Sequence, residues 1–244
     1  SRNLPGLLWG LGTSLIERAV IDGFCKAKSV TLQQALKRNM PGIVLGEIYP
    51  ELSGKEPVEL LGFDGVPCMH ARHTVGLTDY LREKEIPEED RIDDGLPQSF
   101  EACVGTYRLD RYKIKLSGNP ERDISRLTEI SDIIREIGIR DYAFTLDGNE
   151  NFGDARDFVA LWENLTAHKD LEDFLKKLIF VEQPIKRNAA LSKETGDVFN
   201  NWKEKPPMII DESDAVIGSL TESLKCGYEG PSHKNCKGVI KGIA

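Results

Sequence analysis

The sequence predicts an α/β protein whose strands form one parallel sheet, wound as an incomplete β/α barrel. Three observations predict this fold. Short apolar segments alternate with longer amphipathic ones from about residue 97 to residue 225. Three of the apolar segments end in an acidic residue, namely Asp147, Glu182 and Asp211. These acids are 35 and 29 residues apart, which is about the length of one strand–helix repeat.

Six segments are candidate strands, near residues 70, 114, 145, 180, 209 and 233. A closed barrel of eight strands needs about 250 residues, and residues 58–244 are fewer than that. We therefore expect about six of the eight strands, with the barrel incomplete at its C-terminus. An open, doubly wound sheet is the alternative that this count leaves open.

Helices are predicted for residues 14–28, 31–38, 97–109, 120–137, 155–177, 188–203 and 215–225. In the first, Ser14 and Glu17 have the spacing of a capping box, and Leu15, Ile16 and Val20 recur at helical spacing. Proline and glycine residues between positions 50 and 57 predict a linker. The linker separates a helical segment, residues 1–57, from a barrel domain, residues 58–244. Because the chain begins at Ser1 and ends within a predicted helix, we expect further segments at both ends.

Composition excludes several classes of protein. A net charge of −8 argues against nucleic acid or an anionic membrane surface as a general partner. No apolar stretch approaches the roughly 20 residues that cross a bilayer. The five cysteines are odd in number and contain no CxxC pair, which favours reduced thiols and a cytoplasmic location.

The three acidic residues predict a metal site. Parallel strands end at one edge of a sheet, which is where ligands bind in such folds. Carboxylates gathered there would repel one another, so a cation is the expected occupant, and divalent cations such as Mg²⁺ prefer oxygen ligands. Glu212 is the alternative to Asp211, since the alternation of a strand points only one of two adjacent residues inward.

Two lysines, Lys113 and Lys115, fall on one face of the strand predicted for residues 111–116. Buried lysines are rare unless they have a task. Each ammonium group disfavours the charge on the other, so one amine becomes a base near neutral pH. The alternative is an edge strand with two solvated lysines.

Five motifs stand in a fixed order along the chain. They are Lys-x-Lys at 113–115, Asp-x-Asn at 147–149, Glu-Gln-Pro at 182–184, Asp-Glu-Ser at 211–213 and a lysine near residue 234. The series resembles the enolase superfamily, specifically its mandelate racemase and muconate lactonizing enzyme group, over about residues 97–244. The resemblance implies a TIM-like (β/α)7β barrel. Residues 1–57 would then supply remnant helices of an N-terminal α+β capping domain.

The resemblance also implies a role for the matching positions. Asp147, Glu182 and Asp211 would be the ligands of Mg²⁺. Lys115 would be the general acid/base, and Lys113 would tune its pKa. The shared chemistry of Lys or His bases with magnesium is a property of that superfamily.

Three further residues complete the expected site. Asn149 matches a position that helps to orient the substrate, and Lys234 matches a second lysine on the opposite face of the substrate, with Lys237 as the alternative. His73 or His70 is expected at the end of the first strand, where it would touch substrate; the alternative is that both are loop histidines without such a role. Zinc at Cys68, His70 and His73 is not favoured, because no second cluster completes the set.

The implied activity is removal of the proton α to a carboxylate through an enediolate. The outcome would be racemisation, epimerisation, dehydration or cycloisomerisation of a small carboxylic acid, as in a racemase, a cycloisomerase or an acid-sugar dehydratase. Two alternatives stay open: a metal-dependent lyase or hydrolase that uses a metal-activated water, and a non-catalytic metal-binding relative. A homo-oligomer is expected.

Overall fold

The computed structural model describes residues 6–61 and 68–243. The chain divides into two compact units. One unit comprises Ser1–Met69, Asp214–Leu220 and Ser232–Ala244, and the other comprises His70–Ser213 and Thr221–Pro231. The predicted boundary at residue 57 stays a prediction.

The second unit contains a six-stranded parallel sheet. Its strands are β1 (Arg72–Val75), β2 (Arg111–Lys115), β3 (Ala143–Asp147), β4 (Leu178–Glu182), β5 (Met208–Ile210) and β6 (Gly230–Pro231). They are paired in chain order from β1 to β6. A doubly wound sheet would reverse its order at a switch point, so that alternative is excluded. Within the described residues β1 is not paired with β6, so the structure shows a parallel sheet and not a closed barrel.

The helices are α1 (Gly6–Lys28), α2 (Leu32–Lys37), α3 (Pro57–Leu60), α4 (Phe100–Tyr107), α5 (Pro120–Ile137), α6 (Ala155–Ala167), α7 (Glu172–Leu175), α8 (Lys193–Asn201), α9 (Ser219–Lys225) and α10 (Val239–Ile243). The bounds predicted for α5 are confirmed. Asn119 caps it by accepting the N–H of Arg122, Pro120 opens its first turn, and Gly138 ends it at φ 81°.

One hydrophobic core joins the helices to one face of the sheet. From α5 it takes Leu127, Ile130, Ile133 and Ile134, which recur at helical spacing and are at most 1% exposed. From the sheet it takes alternate residues of β2 and β3, namely Tyr112, Ile114, Phe144 and Leu146. The core therefore covers one face of the sheet and leaves the other to the remaining alternate residues.

Several predicted elements are shorter in the structure. The helix expected over 155–177 ends at Ala167, where His168 takes an extended conformation, and resumes only as α7. The strand expected near residue 70 is predicted for residues 66–75. Residues 66 and 67 lie outside the described ranges, and β1 begins only at Arg72. The strand expected near residue 233 is the two-residue β6, in which Pro231 has no N–H to donate to a ladder.

In the first unit, the capping box predicted at Ser14 and Glu17 is wrong. Helix α1 is already formed before Ser14, whose hydroxyl donates to the carbonyl of Leu11 at 2.9 Å. The Glu17 carboxylate instead accepts the N–H groups of Val239 and Ile240, at 2.6 and 3.1 Å, in the first turn of α10.

The apolar residues of α1 are also exposed: Leu15, Ile16 and Val20 keep 53%, 68% and 65% of their surface. Helix α2 follows prediction, with Thr31 and Gln34 forming a reciprocal capping box. None of the helices in residues 6–61 and 68–243 is long and apolar enough to cross a membrane.

Candidate metal and proton-transfer site

The ends of three neighbouring strands carry one amine and two carboxylates in a row. Lys115 is paired in register with Asp147, and Asp147 is paired with Glu182. Residues paired in register point to the same face of a parallel sheet, and neighbouring strands lie about 4.8 Å apart. The three side chains therefore share one face, the one opposite the hydrophobic core.

Lys113 lies on the same face, two residues before Lys115. Strand β2 is flanked by β1 and β3, so the alternative of an edge strand with solvated lysines is excluded. The Lys113 side chain is 13% exposed, and its Nζ lies 2.8 Å from Asp147 Oδ2 and 2.7 Å from Glu182 Oε2. The ammonium group thus supplies the positive charge that this pair of carboxylates requires.

The two carboxylates determine the charge of Lys113. Burial lowers the pKa of Lys113, but the hydrogen bonds and charges of Asp147 and Glu182 outweigh it, so the pKa is raised above its ordinary value. Lys113 therefore stays protonated near neutral pH. A fixed positive charge beside Lys115 is what the predicted tuning role requires.

Glu182 is the most deeply buried of the three acids, at 1% exposure. Burial raises its pKa; the hydrogen bond from Lys113 lowers it, and the nearby carboxyl groups of Asp211 and Asp147 raise it further. Its Oε1 is buried and has no hydrogen-bond partner. A buried carboxylate oxygen without a donor is the kind of group that a cation satisfies.

Asp211, directly after β5, is 2% exposed, whereas Glu212 is partly exposed. The carboxyl group of Asp211 raises the pKa of Glu182, as a neighbouring acid does. This favours Asp211 over Glu212 as the third ligand. The backbone N–H of Asp211 donates to the side-chain oxygen of Gln183 at 2.7 Å. Nothing in the sequence indicated a role for Gln183, although it stands inside the Glu-Gln-Pro motif.

The donor set fits a hard divalent cation. Three carboxylates from adjacent strand ends are the oxygen ligands that Mg²⁺ prefers. Within residues 6–61 and 68–243, no three His, Cys, Asp or Glu side chains are already arranged to hold an ion, and the Lys113 ammonium lies between two of the acids.

Lys115 is oriented by Asn149. Its Nζ donates to Asn149 Oδ1 at 2.7 Å, and the backbone N–H of Asn149 donates to Asp147 Oδ1 at 3.0 Å. Asn149 adopts φ 46°, a left-handed conformation that asparagine tolerates well. Gly148 makes the turn feasible, since a Cβ there would lie 2.5 Å from Pro184 Cα.

A second contact joins the loops after β3 and β4. Arg187 Nε donates to Glu150 Oε1 at 2.8 Å, and Arg187 Nη2 donates to Glu150 Oε2 at 2.5 Å. This bidentate pair raises the pKa of Arg187 and lowers that of Glu150. The separate positions of these two residues in the sequence carried no signal for the pair.

The predicted second base lies in the other unit. Lys234 directly precedes a short 3₁₀ turn, Asn235–Lys237. The Lys237 side chain is 2% exposed; its Nζ lies 3.1 Å from Asp214 Oδ2 and also donates to the carbonyl of Ser232. A buried lysine engaged in this way is poorly suited to exchange protons with a substrate. The role of Lys234 as the second base stays a prediction.

The structure does not support the substrate contact predicted for His73. His73 is paired in register with Tyr112, so it points to the helix-covered face, and its ring lies 6.1 Å from that of Phe100. We do not retain His73 in the proposed site. His70 Nδ1 lies 3.5 Å from Asp110 Oδ1 at the surface. Neither histidine belongs to a group of metal-ligating side chains within the described residues.

Solved structures similar to this chain come from the group that the motifs resemble. A dipeptide epimerase from Enterococcus faecalis V583 is 23% identical, with 59% of this chain and 38% of that chain covered and a TM-score of 0.45. A mandelate racemase/muconate lactonizing enzyme from Roseiflexus sp. is 21% identical over 59% and 39%, also at 0.45. An o-succinylbenzoate synthase from Thermosynechococcus elongatus BP-1, with Mg in its active site, is 16% identical over 53% and 38%, at 0.40.

The chain therefore spans about two fifths of the length of these structures. At TM-scores below 0.5 the likeness carries no argument about function. No protein-family model and no curated protein matches the sequence.

Proposed function

We propose that the chain carries the site of a Mg²⁺-dependent isomerase or lyase that removes the proton α to a carboxylate. The observation that supports this is the row of Lys115, Asp147 and Glu182 across β2, β3 and β4. It sets a proton acceptor beside the ligands of a cation. Asp147, Glu182 and Asp211 would hold Mg²⁺, which when bound would stabilise negative charge developing on the substrate carboxylate.

Residues of the chain accept the proton and supply positive charge beside it. Lys115 in its neutral form accepts the α-proton at Nζ, and the hydrogen bond to Asn149 Oδ1 holds that atom in place. Lys113, kept protonated by Asp147 and Glu182, adds positive charge on the same face. That charge would also favour the negative charge that develops on the substrate.

The reaction type depends on the second base. With Lys234 on the opposite side of the substrate, a proton removed from one face returns to the other, and the centre is inverted. Without it, dehydration or cycloisomerisation follows from a single base. We propose Lys234 for this role, a small carboxylic acid as substrate, a six-of-eight-strand β/α barrel as scaffold, and a cytoplasmic homo-oligomer.

Exchange of the α-proton with solvent tests the proposal. The protein is incubated with Mg²⁺ in D₂O and a panel of dipeptides, N-acylated amino acids and acid sugars, and deuterium at the α-carbon is followed by NMR. We expect Mg²⁺-dependent exchange with at least one class. Lys115→Met should abolish exchange at one face of the substrate, and Lys234→Met at the other.

Lys177→Met is a matched control, since this lysine also borders a strand of the sheet but lies at its opposite end. It should leave exchange intact. Turnover of a substrate with no deuterium incorporated would favour the hydrolase or lyase alternative. Full exchange at both faces in Lys115→Met would remove this lysine from the mechanism.

A further inference from the structure

The side chain of Gln183 is fully buried and uses all of its hydrogen-bonding capacity. Its Oε1 accepts the backbone N–H groups of Asp211 and Ser213, at 2.7 and 3.1 Å. Its Nε2 donates to the carbonyl of Ile185 at 2.7 Å and to the hydroxyl of Ser213 at 2.8 Å. A carboxamide has two N–H donors and one oxygen with two lone pairs. Both donors and both lone pairs of Gln183 therefore have a hydrogen-bond partner within the protein.

Two neighbouring pairs of strand ends are joined in different ways. Beyond β3, the N–H groups of Gly148, Glu150 and Phe152 donate to the backbone carbonyls of residues 182, 183 and 184, at 2.8, 3.0 and 3.1 Å. Beyond β5, the N–H groups of Asp211 and Ser213 donate to a side chain of the neighbouring strand end, that of Gln183. The hydrogen bonds beyond β3 connect backbone to backbone, so they do not depend on side chains. The hydrogen bonds beyond β5 require the carboxamide of Gln183.

The backbone at Gln183 supports a specific role. Gln183 adopts φ 37°, in the left-handed region that few residues other than glycine occupy. A strained residue persists where the surrounding structure compensates for it, and such residues cluster at functional sites. Here the compensation comes from four hydrogen bonds, and the residue directly follows Glu182.

We propose that Gln183 is a positioning residue for the metal site. Its carboxamide ties the chain at Asp211 to the chain at Glu182, and so sets the spacing of two of the three carboxylates. This inference rests on the function proposed above. Ligands already held at the right spacing bind a metal more tightly, because binding then requires less ordering, and the groups that orient metal ligands affect affinity for this reason.

The test replaces Gln183 by methionine, which has nearly the same length but no carboxamide. Mg²⁺ affinity is measured by calorimetry and Mn²⁺ affinity by electron paramagnetic resonance. Amide hydrogen exchange is measured by NMR on the metal-free protein. For Gln183→Met we expect roughly 10- to 100-fold weaker metal binding. We also expect faster exchange at the amides of Asp211 and Ser213, with the amides of Gly148 and Glu150 unchanged.

Gln98→Met is the matched control. Gln98 also bridges backbone groups, accepting the N–H of Ile92 at 3.1 Å and donating to the carbonyl of Asp90 at 2.5 Å, but it lies in a loop before α4. Its replacement should leave metal affinity unchanged. A general loss of stability in Gln183→Met would also speed amide exchange at Gly148 and Glu150, whereas a positioning role speeds it only at Asp211 and Ser213.

Unchanged metal affinity in Gln183→Met, or unchanged exchange at both Asp211 and Ser213, would overturn the inference. If that variant does not fold, Ser213→Ala takes its place, because it removes one acceptor of the Gln183 carboxamide and leaves the others. It should bind metal a few-fold less tightly; unaltered affinity would count against the inference. A wild-type protein that binds neither Mg²⁺ nor Mn²⁺ would instead overturn the proposed function itself.

Discussion

The two faces of the sheet are built from alternate residues of the same strands, yet they differ in chemistry. On the helix-covered face, four residues of β2 and β3 are fully buried, namely Tyr112, Ile114, Phe144 and Leu146. On the other face, the same strands present Lys113, Lys115 and Asp147, joined by Glu182 from β4. Consecutive residues of a strand point to opposite faces, so a side chain of the site stands next in the sequence to a side chain of the core.

This comparison shows how the molecule separates stability from activity. Each large apolar side chain buried on the first face stabilises the fold by about 1.5–3 kcal/mol. The charged groups on the second face carry a desolvation cost that their mutual pairing offsets only in part. Substitutions on the first face should therefore change the free energy of unfolding, and substitutions on the second should change metal binding and turnover.

The largest effect is expected for the acids of the site. Asp147→Asn or Glu182→Gln removes a negative ligand while keeping the size of the side chain, so Mg²⁺-dependent proton exchange should fall by about 10³-fold or more. Circular dichroism should show the fold intact. Asp173→Asn, at a carboxylate whose side chain is 95% exposed, is the control. Full activity of the Glu182→Gln protein would exclude Glu182 as a ligand.

The next largest effect is expected on the helix-covered face. Phe144 is fully buried and stacks on Phe174 at a centroid distance of 4.2 Å. Phe144→Ala should lower the free energy of unfolding by about 3–5 kcal/mol in urea titrations. Ile179→Ala, at a strand residue that is 47% exposed, should change it by about 0.5 kcal/mol or less. Equal losses in the two variants would contradict this assignment of the faces.

A smaller effect is expected at the turn that directly follows β3. Gly148→Ala would place a Cβ 2.5 Å from Pro184 Cα, a backbone atom that has little room to move. We expect a loss of about 1–3 kcal/mol in unfolding free energy from overpacking, with weaker metal binding. Gly153→Ala is the control, since a Cβ there meets nothing within 4 Å. Equal midpoint temperatures of thermal unfolding for both variants and the wild type would refute the close approach of Gly148 to Pro184.

The smallest effect concerns the pH dependence of stability at His73. Burial lowers the pKa of His73 below its ordinary value of 6.5, and the charge of Asp79 opposes this only in part. Below pH 6.5 the unfolded chain takes up a proton before the folded protein does, so His73 lowers stability as pH falls through that range. His73→Gln should reduce this slope in unfolding titrations between pH 7 and 5. An unchanged slope would place His73 in solvent.

Local signals were sufficient for some elements of the fold. Helix α5 has a capping residue before it, proline in its first turn, a glycine after it and one apolar stripe, and its predicted bounds are confirmed. Helix α1 has an apolar pattern as well, but Leu15, Ile16 and Val20 are exposed and Glu17 caps another helix. Periodicity identifies a helix, but it does not say what lies against each of its faces.

The site divides in the same way. The acids and lysines could be predicted because each stands at the end of an apolar strand or at alternate positions within one. The contacts of Gln183 with Asp211 and Ser213, and of Glu150 with Arg187, could not. These contacts join residues from the ends of different strands. The spacing of residues along the chain does not predict which of their side chains come into contact.

The sequence by itself determined that strands and helices alternate, that Lys113 and Lys115 share a face, and that acidic residues end three strands. Each of these follows from the period of a single strand or helix. The tertiary structure alone decided the register that aligns Lys115 with Asp147 and Glu182 and turned His73 toward the helices. Register depends on packing between segments that are far apart in the chain, and a shift of one residue would exchange the two faces of the sheet.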